Sequence, residues 1–217
     1  MPTKNDLPPL EPNYTRFYII RHGETQWNTQ GRLQGHLDSN LTEQGEEEAK
    51  KLASDLLQTE FSTVYSSDLG RAKRTAEILK LERQIAVRTT TLLRERYMGV
   101  LQGKTREEMS QKLISLLDRL DDIAKLKQED PSIKIEDKDQ VTARTLRFIR
   151  QAAVAHTGQN ILVVTHSGNV RALLHKLKFT DLDRLYDIGI DNLGYFVLDS
   201  DGVDFFVRQL NGIFLKK

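Results

Sequence analysis

Two short apolar runs constrain this chain more than anything else in it. Phe17-Tyr18-Ile19-Ile20 and Ile161-Leu162-Val163-Val164 are continuous rather than alternating. A strand with one wet face alternates apolar and polar residues, so an unbroken run means burial on both faces, inside a sheet that helices cover. The rest of the chain supplies those helices. Residues 42–58 carry helical spacing, with Thr42 as N-cap, glutamates in the first turns and Ala49, Leu52, Ala53, Leu56 and Leu57 on one face. Thr63-Val64-Tyr65 reads as a strand leading into a helix over about 69–79, capped by Ser67 or Asp68. Residues 85–90 read as a strand, and 140–156 and 169–177 as helices. Met109, Leu113, Leu116, Leu117, Leu120 and Ile123 predict one long helical stretch, ended by Pro131. Tyr195–Leu198 and Val203–Val207 flank Asp201-Gly202, a hairpin signal. The expected fold is α/β, a three-layer α/β/α sandwich with a mostly parallel central sheet. Residues 1–15, polar and spaced by four prolines, read as an N-terminal tail, and 16–217 as a single domain.

Composition narrows the function classes. A net charge of +1 argues against a general nucleic-acid or membrane-surface binder. The chain has no cysteine, which removes disulfides, thiolate nucleophiles and cysteine metal sites. No apolar run approaches the roughly 20 residues that span a bilayer. The N-terminus lacks a signal-type apolar segment, so a cytoplasmic location is expected.

Both apolar runs end in histidine. Arg21-His22-Gly23 follows the first, and Thr165-His166-Ser167-Gly168 the second. One histidine alone can simply terminate a strand. Two in matching settings, in a chain with five histidines, point to a shared crevice, because ligands of open α/β sheets sit outside the carboxyl ends of the strands. His156 and His175 belong to helices and read as structural. His36, after Gly35, reads as a solvated loop residue, with lining the site as the alternative. A metal fits the pair poorly: Arg21 repels a cation, and no His-Glu-x-x-His motif or aspartate cluster completes a ligand set. Arg21 and Arg71, the latter at a helix start, suit an anion, because a guanidinium pairs bidentately with phosphate oxygens. Imidazole attacks phosphorus in line, so the four residues together point to covalent phosphoryl transfer.

Arg21-His22-Gly23-Glu24-Thr25 with Trp27-Asn28 resembles the opening motif of the histidine phosphatase superfamily, also called phosphoglycerate mutase-like. Further matches follow in family order: Leu41-Thr42-Glu43-Gln44-Gly45, Ser66 to Ala72 with Thr75-Ala76, Leu93-Arg94-Glu95-Arg96 with Gly99, and Val163 to Gly168. The resemblance covers roughly residues 16–200. It implies His22 as the nucleophile, Arg21, Arg71 and His166 as the phosphate pocket, and Glu95 as the proton donor. It also implies contacts from Thr25, Asn28, Gln34, Gly35 and Arg96, and no metal or organic cofactor. Taken alone, Glu95 within Arg94-Glu95-Arg96 reads as a surface ion-pair cluster.

The family divides into phosphatases, which pass the phosphoryl group to water, and mutases, which return it to substrate. Residues 95–104 resemble both the mutases and the fructose-bisphosphatase-type, TIGAR-like phosphatases. Met98 stands where mutases carry tyrosine, the paired arginines of their insertion are reduced to Arg119, and His166-Ser167-Gly168 resembles the phosphatase form. The expectation is therefore a phosphatase for small phosphorylated metabolites. A phosphoglycerate mutase is the alternative, and a catalytically silent phospho-ligand scaffold the third reading. Lys104 and Arg106 either meet a second anionic group or stand solvated at a helix start. The Gly-Glu-Ser/Thr motif usual near 136 appears only as Ile135-Glu136-Asp137, and residues 105–139 are expected to form a helical lid.

Overall fold

The computed structural model describes residues 7–80, 84–179 and 187–216. Its centre is one six-stranded sheet in the order β3-β2-β4-β1-β5-β6. Strands β1 (Thr15–Arg21), β4 (Asn160–Thr165), β2 (Thr63–Ser67) and β3 (Val87–Thr90) run parallel, while β5 (Ile188–Ser200) and β6 (Phe205–Leu215) close one side antiparallel. The mostly parallel α/β sheet read from the sequence is the sheet observed, and a one-turn helix, α1 (Gln26–Thr29), follows β1.

The unbroken apolar runs have the expected cause. On β1, Phe17 and Ile19 pack with Phe148, Ile149, Val170 and Leu173 of helices α6 (Lys138–Ala155) and α7 (Ser167–Lys176). Tyr18 and Ile20 face the opposite way, onto Ala49, Leu52, Ala72 and Ala76 of α2 (Glu43–Asp55) and α3 (Gly70–Leu79). Alternate residues thus feed two cores, and each must be apolar.

Several elements differ from their sequence reading. The long helix expected after residue 105 is broken into α4 (Gln111–Asp118), a 3-10 turn over Leu120–Asp122 and α5 (Ile123–Glu129). Arg96 donates from Nη2 to the Leu120 carbonyl at 2.9 Å, capturing an oxygen that a continuous helix would use itself. The two helices fold onto a small separate core of Met98, Leu101, Met109, Leu120, Ile123, Leu126 and Ile135. Helix α3 takes no cap from Ser67 or Asp68. Asp38, from a distant loop, accepts from the amides of Gly70 and Arg71 instead, while Asp68 pairs with Arg94 at 2.6 Å. The terminal strands extend well beyond their predicted spans. Asp191-Asn192-Leu193-Gly194 interrupts the apolar pattern, and the β5–β6 register shifts there. The Asp201-Gly202 turn is present, with Gly202 at φ 98° and Asp201 Oδ1 accepting from Val203 and Asp204 at 2.8 Å.

Of the expected tail, residues 1–6 lie outside the described residues. The Pro8 carbonyl accepts from Arg16 Nη2 at 2.8 Å, and Thr15 already belongs to β1. No helix among the described residues is long and apolar enough to cross a membrane.

Candidate active site

Strands β1 and β4 are neighbours in register, Arg21 opposite Thr165, so both histidines emerge together at the carboxyl edge. The His22 amide donates to the Thr165 carbonyl at 2.9 Å, and the two imidazole centroids stand 5.2 Å apart at 61°. His22 Nδ1 lies 2.7 Å from the Gly23 carbonyl. A carbonyl only accepts, so Nδ1 carries the proton and Nε2 keeps its lone pair. The turn that holds His22 is tied to α3, since the Gly23 amide donates to Thr75 Oγ1 at 3.1 Å.

Arginines surround this pair. Arg71 is only 2% exposed, on the first turn of α3. Its Nη1 donates to the Leu37 carbonyl at 2.8 Å and to Asp38 at 2.9 Å, and its Nη2 to the Gly35 carbonyl at 2.9 Å. Arg21 Nη1 donates to the Ile190 carbonyl at 2.6 Å. Arg21 Nε, Arg71 Nε and both ring nitrogens of His166 are buried with no hydrogen-bond partner among the described residues. Burial costs a polar group about 1–3 kcal/mol unless it is paired, so this clustering of unpartnered nitrogens marks a site built for an acceptor-rich ligand.

The electrostatics agree. Burial, reinforced by the charges of Arg71 and Arg21, holds His22 well below the usual histidine range and therefore neutral. His166 is lowered in the same way, by burial first and the Arg71 charge second. Burial, with the Arg171 charge second, brings Arg21 down to about 10. Arg71 is lowered by burial against the opposing pull of Asp38. An incoming anion relieves all four.

Glu95 stands across the cavity, on the loop after a 3-10 turn at Thr91–Leu93. Its carboxylate accepts from the Arg96 amide at 2.7 Å, the Gly168 amide at 3.1 and 3.2 Å, and Ser167 Oγ at 3.3 Å. It therefore rests on the N-terminus of α7, where amides point outward.

A cavity of about 160 Å³ connects these groups. Arg21, His22, Asn28, Gln34, Gly35, Arg71, Glu95 and Arg96 line it, and the buried His166 ring meets His22 edge-to-face. Thr25 stands behind the wall rather than in it. Its hydroxyl accepts from the Asn28 amide at 3.2 Å and from Gln34 Nε2 at 2.9 Å, fixing two lining residues. Arg96 also spans outward, donating from Nε to the Glu136 carbonyl at 2.5 Å. Lys104 and Arg106 are not brought to the cavity. The helix expected to start beside them begins only at Gln111, and Arg106 is turned outward into an exposed ion pair with Asp118 at 2.8 Å. A second cavity of about 750 Å³ lies between Tyr97–Val100 and helices α4 and α5, but its walls are mainly apolar and contain no histidine.

Two residues escaped the sequence reading, and a third reads there as solvated, with lining the site as the alternative. Arg171 lines the cavity, its Nε donating to the Ile188 carbonyl at 2.8 Å. Its spacing of four from Ser167 on one helix face was the available signal. Arg32 lines the outer wall and pairs with Glu108 at 2.6 Å. His36 is half-buried rather than solvated, with Nε2 at 2.8 Å from the Glu95 carbonyl.

The sequence model of the histidine phosphatase superfamily (branch 1) matches residues 17–212. The chain belongs to that superfamily. Among relatives, the broad-specificity phosphatase YOR283W of Saccharomyces cerevisiae is 33% identical over 210 residues, covering 91% of this chain and 86% of the relative. Phosphoglycerate mutase-like protein 4 of Arabidopsis thaliana is 33% identical over 172 residues, covering 76% and 72%. The structure of Bacillus stearothermophilus YhfR superposes with a TM-score of 0.76 at 32% identity, covering 91% of this chain and 96% of that one. Within the superfamily the chain is a phosphatase, a phosphoric monoester hydrolase of the branch 1 type.

Proposed function

We propose that this histidine phosphatase hydrolyses small phosphomonoesters through a phosphohistidine formed on His22 Nε2, with Glu95 as proton donor. The observation that carries the reading is the His22 ring: its Nδ1 bond to the Gly23 carbonyl leaves Nε2 as the nucleophilic nitrogen, beside the unpartnered nitrogens of Arg21, Arg71 and His166.

The steps balance within these residues and water. The Nε2 lone pair forms the N–P bond as the P–O bond to the leaving alcohol breaks, and Glu95 gives its proton to the departing oxygen. The phosphorylated ring is cationic, and its Nδ1–H remains bonded to the Gly23 carbonyl. Arg21, Arg71 and His166 hold the equatorial oxygens where charge develops. Glu95, now a carboxylate, takes a proton from water as the water oxygen attacks phosphorus. The N–P bond breaks, its electron pair returns to Nε2, and phosphate leaves. The donor set of two arginines and two histidines disfavours a divalent cation, and no step requires one.

A cavity of about 160 Å³ is small beside the roughly 300–1,000 Å³ of sites for drug-sized ligands, which favours compact metabolites. Asn28, Gln34, Gly35, Arg96 and Arg171 are the substrate-binding residues of this reading, and Lys104 and Arg106 are left out of it. Residues 105–139 act as the lid, supported by the bonds from Arg96 to Leu120 and Glu136. The setting is cytoplasmic, with which a chain lacking cysteine is compatible.

The test is phosphate release from aryl and alkyl phosphates with and without chelator, together with trapping of acid-labile phosphate on the protein. Chelator-resistant turnover and label on His22 are expected. Isomerisation of 3-phosphoglycerate in the presence of 2,3-bisphosphoglycerate without net phosphate release indicates a mutase, and binding without turnover a scaffold.

A further inference from the structure

The proton donor is held at its main chain as well as at its carboxylate. The Glu95 carbonyl accepts from two side chains, His36 Nε2 at 2.8 Å and Arg144 Nη2 at 3.1 Å. Arg144 is fixed in turn by Glu136, at 2.7 and 2.9 Å, and by the Leu92 carbonyl at 2.9 Å. Burial opposes ionisation of Glu136, but the Arg144 bonds and charge outweigh it and hold the carboxyl below its usual range. The Arg144 arm is therefore a charged pair within the scaffold.

The His36 arm comes from the loop that also builds the phosphoryl end. Gly35 gives its carbonyl to Arg71 Nη2 at 2.9 Å, and the next residue gives its ring to Glu95. Gln102 Oε1 accepts from the His36 amide at 2.7 Å, and the ring packs against Tyr97 with centroids 5.1 Å apart. Gly35 has φ +57°, and a Cβ there would lie 2.3 Å from Gln102 Oε1, so glycine is what lets this loop reach both ends. A carbonyl only accepts, so His36 donates from Nε2.

We propose that His36 is a positioning residue for Glu95, setting the distance between the proton donor and the phosphoryl cradle. It touches neither substrate nor phosphorus; it acts through the Glu95 backbone. The inference rests on Glu95 being the acid of the proposed reaction. A displacement of about 1 Å at such a group costs about 100-fold in rate.

The test is the dependence of kcat/KM on the leaving group, which reports the phosphorylation step alone. An acidic phenol leaves without help, whereas an alkyl alcohol needs the proton. His36→Leu should lower kcat/KM for alkyl phosphates about 10- to 100-fold and for 4-nitrophenyl phosphate less than threefold, with vanadate affinity unchanged. His36→Gln, whose amide N–H reaches toward the same carbonyl, should recover most of the alkyl rate, and the shorter His36→Asn should not. Equal losses across all leaving groups, or none, overturn the proposal. If His36→Leu does not fold, the Gln and Asn variants decide it by the same comparison, and equal rates in the two overturn it. Glu95→Gln is the control. If its losses do not depend on the leaving group, the acid assignment itself has failed; if they do and those of the His36 variants do not, only His36 is removed.

Discussion

Glu95 and Gly168 meet across the mouth of the site with no room for another atom: the Gly168 amide donates to Glu95 Oε1 at 3.1 Å, and a Cβ on Gly168 would stand 2.1 Å from that oxygen. The proton donor is thus seated on a helix start that only glycine leaves open. Gly168→Ala must push the carboxylate away, because a Cβ there would also stand 3.2 Å from Glu95 Cδ and 3.4 Å from Arg96 Cβ. Turnover of alkyl phosphates should fall about 10- to 100-fold. The melting temperature should hold or fall slightly, since the displaced carboxylate gives up its bonds to the Gly168 amide and Ser167 hydroxyl, which offsets the helical preference of alanine over glycine. Steady-state rates set beside a thermal melt check this; unchanged turnover would mean that the placement of Glu95 does not matter.

His22→Ala should abolish turnover and leave the protein folded. The ring stabilises little in its resting state, because burial and the Arg71 and Arg21 charges disfavour its protonated form and, among the described residues, its side-chain hydrogen bond goes to the adjacent Gly23 carbonyl. Circular dichroism and acid-labile phosphate incorporation are the measurements. Retained incorporation would move the nucleophile elsewhere.

The pH behaviour follows from the same burial. His22 and His166 stay neutral as pH falls through the ordinary histidine value of about 6.5, so kcat/KM should not drop there for loss of the nucleophile. Stability runs the other way. In the unfolded chain both histidines bind protons below about 6.5, whereas the folded protein resists until its lowered values are reached. The unfolded state therefore binds more protons in that window, and stability falls as pH falls below about 6.5. Denaturant midpoints at pH 7.5 and 5.5, expected lower at 5.5, test the sign for the wild type, and the difference should shrink in His166→Gln.

Much of this architecture was legible in the sequence because its causes are local. Phe17 to Ile20 face two cores, so each residue had to be apolar, and the register of β1 on β4 then placed His22 beside His166. What escaped were contacts to the main chain. The bonds of His36 and Arg144 to the Glu95 carbonyl leave no trace in residue type, since every residue carries that acceptor. Arg106 stays open between two readings for a related reason: an arginine near a helix start looks the same whether it meets a substrate or, as here, pairs with Asp118. The break at Leu120 is invisible to periodicity, which continues through it.

An anion should stabilise the protein strongly, because the cradle gathers positive charge without a matching set of carboxylates. Vanadate or phosphate bound at about 100 times its dissociation constant contributes about 2.7 kcal/mol. A rise in melting temperature that saturates with ligand and disappears in Arg71→Ala would place the anion in the cradle; a rise that survives in the variant would place it elsewhere.

Asp38 joins folding to the site most directly. It caps α3 at the Gly70 and Arg71 amides, and it is the carboxylate that pairs with the buried Arg71 guanidinium at 2.9 Å. Asp38→Ala removes a cap worth about 1 kcal/mol and, among the described residues, leaves the Arg71 guanidinium bonded to the Leu37 and Gly35 carbonyls. Breaking a buried pair from one side costs about 3–5 kcal/mol, but Asp38 is 35% exposed, so a total loss of about 2–3 kcal/mol is expected. A bound anion supplies negative charge to the same guanidinium. Saturating vanadate should therefore stabilise the variant more than the wild type, narrowing the gap between their melting temperatures. If the gap stays constant with ligand, Asp38 acts on the helix alone and has no part in tuning Arg71 for phosphate.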